Sequence, residues 1–153
     1  MKARFNPVKL APGAYKAMLD LEAYLASSSI EPKLLHLIKL RASQINGCAY
    51  CIDMHSKDAL AHGDTDQRLL GLDAWRESPY YTDRERAALE WTEALTLIRE
   101  SHADDAVYDR VRAVLSEQEV VDLTCAVATI NSWNRLAIAA RTVPGLYHPR
   151  TSG

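Results

Sequence analysis

The residues best suited to chemistry lie in one run, Gly47-Cys48-Ala49-Tyr50-Cys51-Ile52-Asp53-Met54-His55. On a helix turning about 100° per residue, Cys48, Cys51 and His55 fall within about 60° of one another and share a face. A Cys-x-x-Cys pair at a helix start can close a disulfide, and the unpaired N–H groups and positive dipole end there stabilise a thiolate. A neighbouring imidazole can serve such a sulfur as general base. A nucleophilic sulfur, a second sulfur to resolve its oxidised form and a base are the minimal equipment of a thiol peroxidase or a disulfide reductase. Residue types alone leave the division of labour open. The helix dipole favours a thiolate at Cys48, whereas the four-residue spacing favours His55 acting on Cys51.

Other uses of these residues compete. Paired cysteines in a helix also serve as small core hydrophobes. His62 falls on nearly the same face as His55 and completes a zinc-like set of Cys48, Cys51, His55 and His62, although structural zinc sites usually draw ligands from two separated segments. Attachment of c-type haem requires histidine directly after the second cysteine, and Ile52 stands there.

The elements that must hold this run in place all read as helices. Residues Gly13 to Ala26 carry apolar side chains at mixed three- and four-residue spacing. Ser28 with Glu31 forms an expected capping box before Pro32, and a second helix is predicted from Pro32 to Ile45. Asn46-Gly47 breaks it, placing Cys48 at the start of a third helix that stops at Gly63. Asp64 or Thr65 is positioned to cap a short helix from Gln67 to Leu72. Thr82 with Glu85 opens a helix from Asp83 to Arg99, another spans Asp104 to Leu115, and Ser116 with Glu119 opens a long apolar one to about Ala140. No β-branched run alternates between hairpin signals. The expectation is all-α, with residues 1–153 forming a single domain.

Composition agrees and narrows the function classes. A chain of 153 residues with 48% hydrophobic and 25% charged residues is long enough to bury a core without disulfides or structural metals. The net charge of −2 comes with scattered basic residues, so neither nucleic acid nor an anionic membrane surface is an expected partner. Asn6, Pro7, Lys9, Pro12 and Gly13 interrupt the start, which leaves no secretory h-region, and no window approaches the roughly 20 apolar residues of a membrane span. A cytoplasmic location is therefore expected. Three cysteines (Cys48, Cys51, Cys125) are too few for a disulfide framework and point to metal, redox chemistry or burial.

The run from Lys39 to His55, KLRASQINGCAYCIDMH, resembles the core motif of the AhpD-like alkylhydroperoxidases in the carboxymuconolactone decarboxylase superfamily. Ile130-Asn131-Ser132-Trp133-Asn134-Arg135 is similar to a second recurring element of its small members. The resemblance implies a peroxidase without haem, flavin, metal or other cofactor. It implies that Cys51 attacks the peroxide, that Cys48 resolves the sulfenic acid as a disulfide, and that an external dithiol or a thioredoxin- or lipoyl-like partner restores the pair. It also implies a homo-oligomer, trimer or hexamer. Two positions depart from the family pattern. His36 occupies the place of a glutamate that orients or ionises the motif histidine, here His55, so His36 is a candidate relay. Tyr50 replaces a histidine found before the second cysteine; it can donate a hydrogen bond but cannot act as a base near neutral pH.

Several readings stay paired at this point. His36 lies with Lys39 and Ser43 on a polar helix side that serves either the site or solvent. Asn131, Trp133 and Asn134 line the site or a subunit interface, or satisfy backbone groups at a helix end. Asp53 points away from Cys51 as a solvated or structural carboxylate, Cys125 is expected in the core, and His62 and His102 are expected at the surface or as caps. Two functions compete with peroxide reduction: a lactone decarboxylase, which does not require the cysteine pair, and a redox-sensing oligomer with incidental turnover.

Overall fold

The computed structural model describes residues 2–149, and among these every regular element is helical. Helix α1 (Pro7–Leu10) is a single turn capped by Asn6, whose side chain accepts from the Lys9 N–H. Helix α2 (Pro12–Ala26) precedes α3 (Pro32–Asn46), which carries nine buried residues and forms the centre of the fold. Helix α4 (Ala49–Ala61) holds the cysteine motif, and α5 (Asp66–Leu70) leads into a 3-10 turn at Leu72–Ala74. Helices α6 (Asp83–Thr96), α7 (Ile98–Ser101), α8 (Asp105–Arg112) and α9 (Glu117–Ala140) complete the chain. Helix α3 packs on α4, α6 and α9, while α2 lies along α9. Leu34, Leu37, Ile38, Leu89, Leu123 and Val127 fill the space between them, each worth about 1.5–3 kcal/mol of burial.

The expected capping boxes hold at α6 and α9, where Thr82 and Glu85, and Ser116 and Glu119, satisfy each other's backbone N–H groups. The third does not form. The residue before a proline is pushed into extended backbone, so Glu31 (φ −62, ψ 139) becomes the N-cap of α3 without a side-chain cap bond. Ser28 turns back to finish α2, its hydroxyl donating to the Leu25 carbonyl at 2.7 Å. Thr65, not Asp64, caps the short helix, since the Arg68 N–H reaches the Thr65 hydroxyl.

The helix expected from Asp83 to Arg99 also breaks. Leu97 leaves helical geometry (φ −98, ψ 41), and Ser101 Oγ donates to the Ala94 carbonyl at 2.6 Å near the end of α6. His102 then ends α7 at φ 51, which agrees with its expected role as a cap. The helix expected to reach Leu115 stops at Arg112. No helix among the described residues is long and apolar enough to cross a membrane.

Candidate active site

Backbone geometry sets the cysteine pair in place. Gly47 adopts left-handed φ 68, a conformation costly for residues with a Cβ, and this ends α3. Cys48 follows in extended backbone as N-cap of α4, its sulfur accepting from the Cys51 N–H at 3.3 Å. The two cysteines are joined as a disulfide with a Cα–Cα distance of 5.3 Å, within the usual range. The end of α3 is anchored by a polar cluster on α9. Asn46 Nδ2 donates to Asn134 Oδ1 (2.8 Å) and Asn131 Oδ1 (3.0 Å), and Asn134 Nδ2 donates to Ser43 Oγ (3.0 Å). Asn131 and Asn134 therefore sit in mid-helix and tie α9 to the loop that presents Cys48, rather than satisfying a helix end.

One turn beyond Cys51, His55 is buried on the same side of α4. Cys51, His55 and His36 line a common cavity of about 260 Å³, together with Asp58, Tyr147, Glu22, Lys39, Tyr15, Tyr50 and Trp133. His36 reaches it from α3, its ring centroid 6.3 Å from that of His55. The polar side of α3 is thus not a solvated face. Helices α2, α4 and α9 cover it, leaving Ser43 fully buried and Lys39 6% exposed, with its ammonium 2.5 Å from Glu22 Oε2. Trp133 lines the cavity, packs edge-on against Tyr15 and donates from Nε1 to Glu22 Oε1 at 3.0 Å. Cys48 also lines a second cavity, beside Arg141, Thr142 and Pro144, to which Cys51 does not contribute.

The electrostatics favour neutral imidazoles. Burial, reinforced by the Lys39 and His36 charges, holds His55 well below the usual histidine range. His36 is pushed down to about 4 by burial and then by His62 and Lys39. A neutral imidazole keeps the lone pair that a base requires. Both ring nitrogens of His55 and Nδ1 of His36 are buried without a hydrogen-bond partner.

Two contributors to the site went unread in the sequence. Asp58 places Oδ2 3.9 Å from His55 Nδ1 and supplies the cavity with a carboxylate. Its i+3 spacing from His55 was the available signal. Burial raises its pKa, while the Tyr147 hydroxyl, donating at 2.7 Å, and the charges of His62 and Lys39 pull it down. Tyr147 comes from the far end of the chain, and no local pattern marks it. The segment carrying it is held along α4 by Gly145 N–H on Asp53 (3.0 Å) and by Lys57 on the Tyr147 carbonyl (3.1 Å). Of the two roles expected for Asp53, solvated or structural, these contacts select the structural one.

The zinc-like set is not gathered. Cys48 and Cys51 are bonded to each other, and His62 caps α4, donating from Nδ1 to the Asp58 carbonyl (2.8 Å) and packing tilted against His36 with ring centroids 4.5 Å apart. Cys125 is half-buried against the core rather than fully enclosed, because α9 faces α2 and solvent there.

The carboxymuconolactone decarboxylase family model matches residues 12–94, more than half of the chain and the whole of the cavity's α2–α4 wall. The chain belongs to this family. It is an AhpD-like member. Its relatives include the uncharacterised protein YdfG of Bacillus subtilis, 46% identical over 139 residues, which span 91% of this chain and 95% of YdfG. The crystal structure of ATU0492 from Agrobacterium tumefaciens, a protein of unknown function named as a candidate antioxidant defence protein AhpD, superposes with a TM-score of 0.91. It is 45% identical, over 95% of this chain and 100% of that one. A debrominase shares the fold at a TM-score of 0.76 and 22% identity, covering 88% of this chain and 73% of its own.

Proposed function

We propose that this member of the family is a thiol-dependent hydroperoxide reductase of antioxidant type. The observation that carries the reading is the convergence of a disulfide-forming pair at the start of α4 with a buried, neutral His55 in one cavity beside Cys51. The naming of ATU0492 for antioxidant defence supports it.

In the reduced protein, His55 takes the Cys51 proton. The thiolate attacks the distal oxygen of the hydroperoxide, the O–O bond breaks, and the imidazolium returns its proton to the departing alkoxide, leaving Cys51 sulfenic acid and an alcohol. Cys48 sulfur then attacks Cys51 sulfur, forming the disulfide and releasing water. Two electrons from an external dithiol, a small molecule or a thioredoxin- or lipoyl-like protein, restore the pair. In this scheme His36 tunes His55 from α3. A lactone decarboxylase would leave the cysteine pair without a task.

In this reading the protein acts as a homo-oligomer, the trimer or hexamer that the family resemblance implies, and the exposed apolar side chains of Leu21, Tyr24 and Val121 on the packed helices α2 and α9 supply surface for subunit contact. Light scattering giving a 17.1 kDa particle at micromolar concentration would contradict that.

The function is tested by counting thiols with mass spectrometry before and after one equivalent of an organic hydroperoxide. The reading requires loss of two thiols and a peptide bridged between Cys48 and Cys51. Unchanged thiols, or a bridge to Cys125, would overturn it.

A further inference from the structure

Buried nitrogens without partners are costly, and native structures leave few of them unexplained. Here three lie together: both ring nitrogens of His55 and Nδ1 of His36. Acting as a base uses one lone pair of one ring, and tuning of that base by His36 accounts neither for the remaining unpartnered nitrogens nor for the carboxylate beside them. Among the described residues, donor atoms of His36, His55 and Asp58 all lie within 4.8 Å of one another, and Asp58 Oδ2 is 3.9 Å from His55 Nδ1.

We propose that His36, His55 and Asp58 form a binding site for a divalent d-block cation of the zinc class, with an open coordination position facing the cavity that Cys51 lines. Two imidazoles and one carboxylate suit zinc, cobalt(II) or iron(II) and suit magnesium or calcium poorly, because the latter prefer oxygen-only ligands. A tetrahedron built on bonds of about 2.0–2.1 Å has edges of roughly 3.3 Å, so ring rotation and a shift of about 1 Å close the set. Its outer contacts are already in place. The Tyr147 hydroxyl holds the Asp58 carboxylate at 2.7 Å, and the His62 ring packs tilted against His36 while its Nδ1 donates to the Asp58 carbonyl. Lys39 is the cation facing the site, and its charge is taken up by Glu22 at 2.5 Å, which adds a second carboxylate to the same wall. A bound cation occupies the His55 lone pair, so metal and thiol activation exclude each other.

The experiment uses the oxidised protein, in which Cys48 and Cys51 are tied in the disulfide and cannot ligate. Its outcome is therefore independent of whether the chain reduces peroxides. Cobalt(II) is titrated with visible spectroscopy as the probe and zinc by calorimetry. The proposal requires one equivalent bound with d–d absorption, and affinity at least tenfold weaker in both His36→Gln and Asp58→Asn, with His102→Ala unchanged. On the native chain, zinc must shift the ring signals of His36 and His55 in NMR spectra, which keeps the test decisive if a variant fails to fold. Absence of one-to-one binding at micromolar concentration, affinity undiminished in both variants, or shifts confined to His62, His102 and His148 would overturn it.

Discussion

Helix α3 carries buried charge on two sides, and the two sides are finished differently. Toward α6, Arg41 donates from Nε to Glu93 at 2.7 Å and also bonds Asp73 and Gln44. Glu93 accepts in addition from Trp75 Nε1 at 2.8 Å and from Arg76 at 2.5 Å. Toward α4, Lys39 and Glu22 are paired, yet the imidazoles of His36 and His55 are left with buried nitrogens that nothing engages. A saturated network holds helices together. An unsaturated one at similar depth gives up stability to keep lone pairs available, and it is the unsaturated side that adjoins the cysteines. The difference in hydrogen-bond satisfaction thus separates scaffold from chemistry along one helix.

The largest effect that can break this division is expected at the sulfurs. Cys51→Ser should abolish steady-state peroxide consumption with a dithiol, whereas Cys48→Ser should consume about one equivalent and stop, since only the resolving sulfur is missing. Full turnover in either variant would detach the cavity from the activity.

Next comes His55→Ala, which should slow peroxide reduction by about 10²–10⁴ while leaving the unfolding transition in denaturant nearly unchanged or stabilised. The mirror experiment is Glu93→Ala on the saturated side. It leaves Trp75 Nε1 without its acceptor and Arg41 with only Asp73 and Gln44. Because breaking a buried pair outright costs about 3–5 kcal/mol, a loss of up to that size is expected from the denaturant midpoint, with activity per folded molecule retained. Should the two phenotypes be exchanged, the division between the sides of α3 is wrong.

Smaller effects sharpen the role of His36. His36→Ala should lose less activity than His55→Ala, and His36→Glu should keep or improve it at neutral pH, because a carboxylate stabilises His55 in its cationic form. The pH dependence of Cys51 alkylation across the three variants checks this. His36 also makes a stability prediction. Its pKa falls from 6.5 when unfolded to about 4 when folded, so between those values the unfolded chain binds more protons. Stability contributed at this site is therefore full above pH 6.5 and is lost as pH falls toward about 4. His36→Ala should flatten that part of the pH–stability curve.

How much of this was readable in the sequence depended on range. The placement of Cys48 at a helix start, the shared face of Cys51 and His55 and the boxes at Thr82 and Ser116 rest on interactions within a few residues, and they appear as expected. The box at Ser28 failed because Pro32 imposed extended backbone on Glu31, a local rule that outweighed another local rule. The polar side of α3 looked equally fit for solvent or site, since helical angle cannot tell which neighbour covers a face. Tyr147 lies 89 residues from Asp58, and only the folded chain brings it there. Asp58 was within reach of the spacing argument that singled out His55, but as one acidic residue among many it carried no mark of burial.

The central claim, that the histidine on the unsaturated side activates Cys51, is tested most directly by trapping sulfenic acid. Cys48→Ser and Cys51→Ser proteins are each given one equivalent of organic hydroperoxide with a sulfenic-acid probe, and the modified peptide is mapped. The geometry of α4 predicts an adduct on Cys51 in the first variant and none on Cys48 in the second. An adduct on Cys48 alone would show that the helix start, rather than His55, selects the reactive sulfur, and would contradict the account.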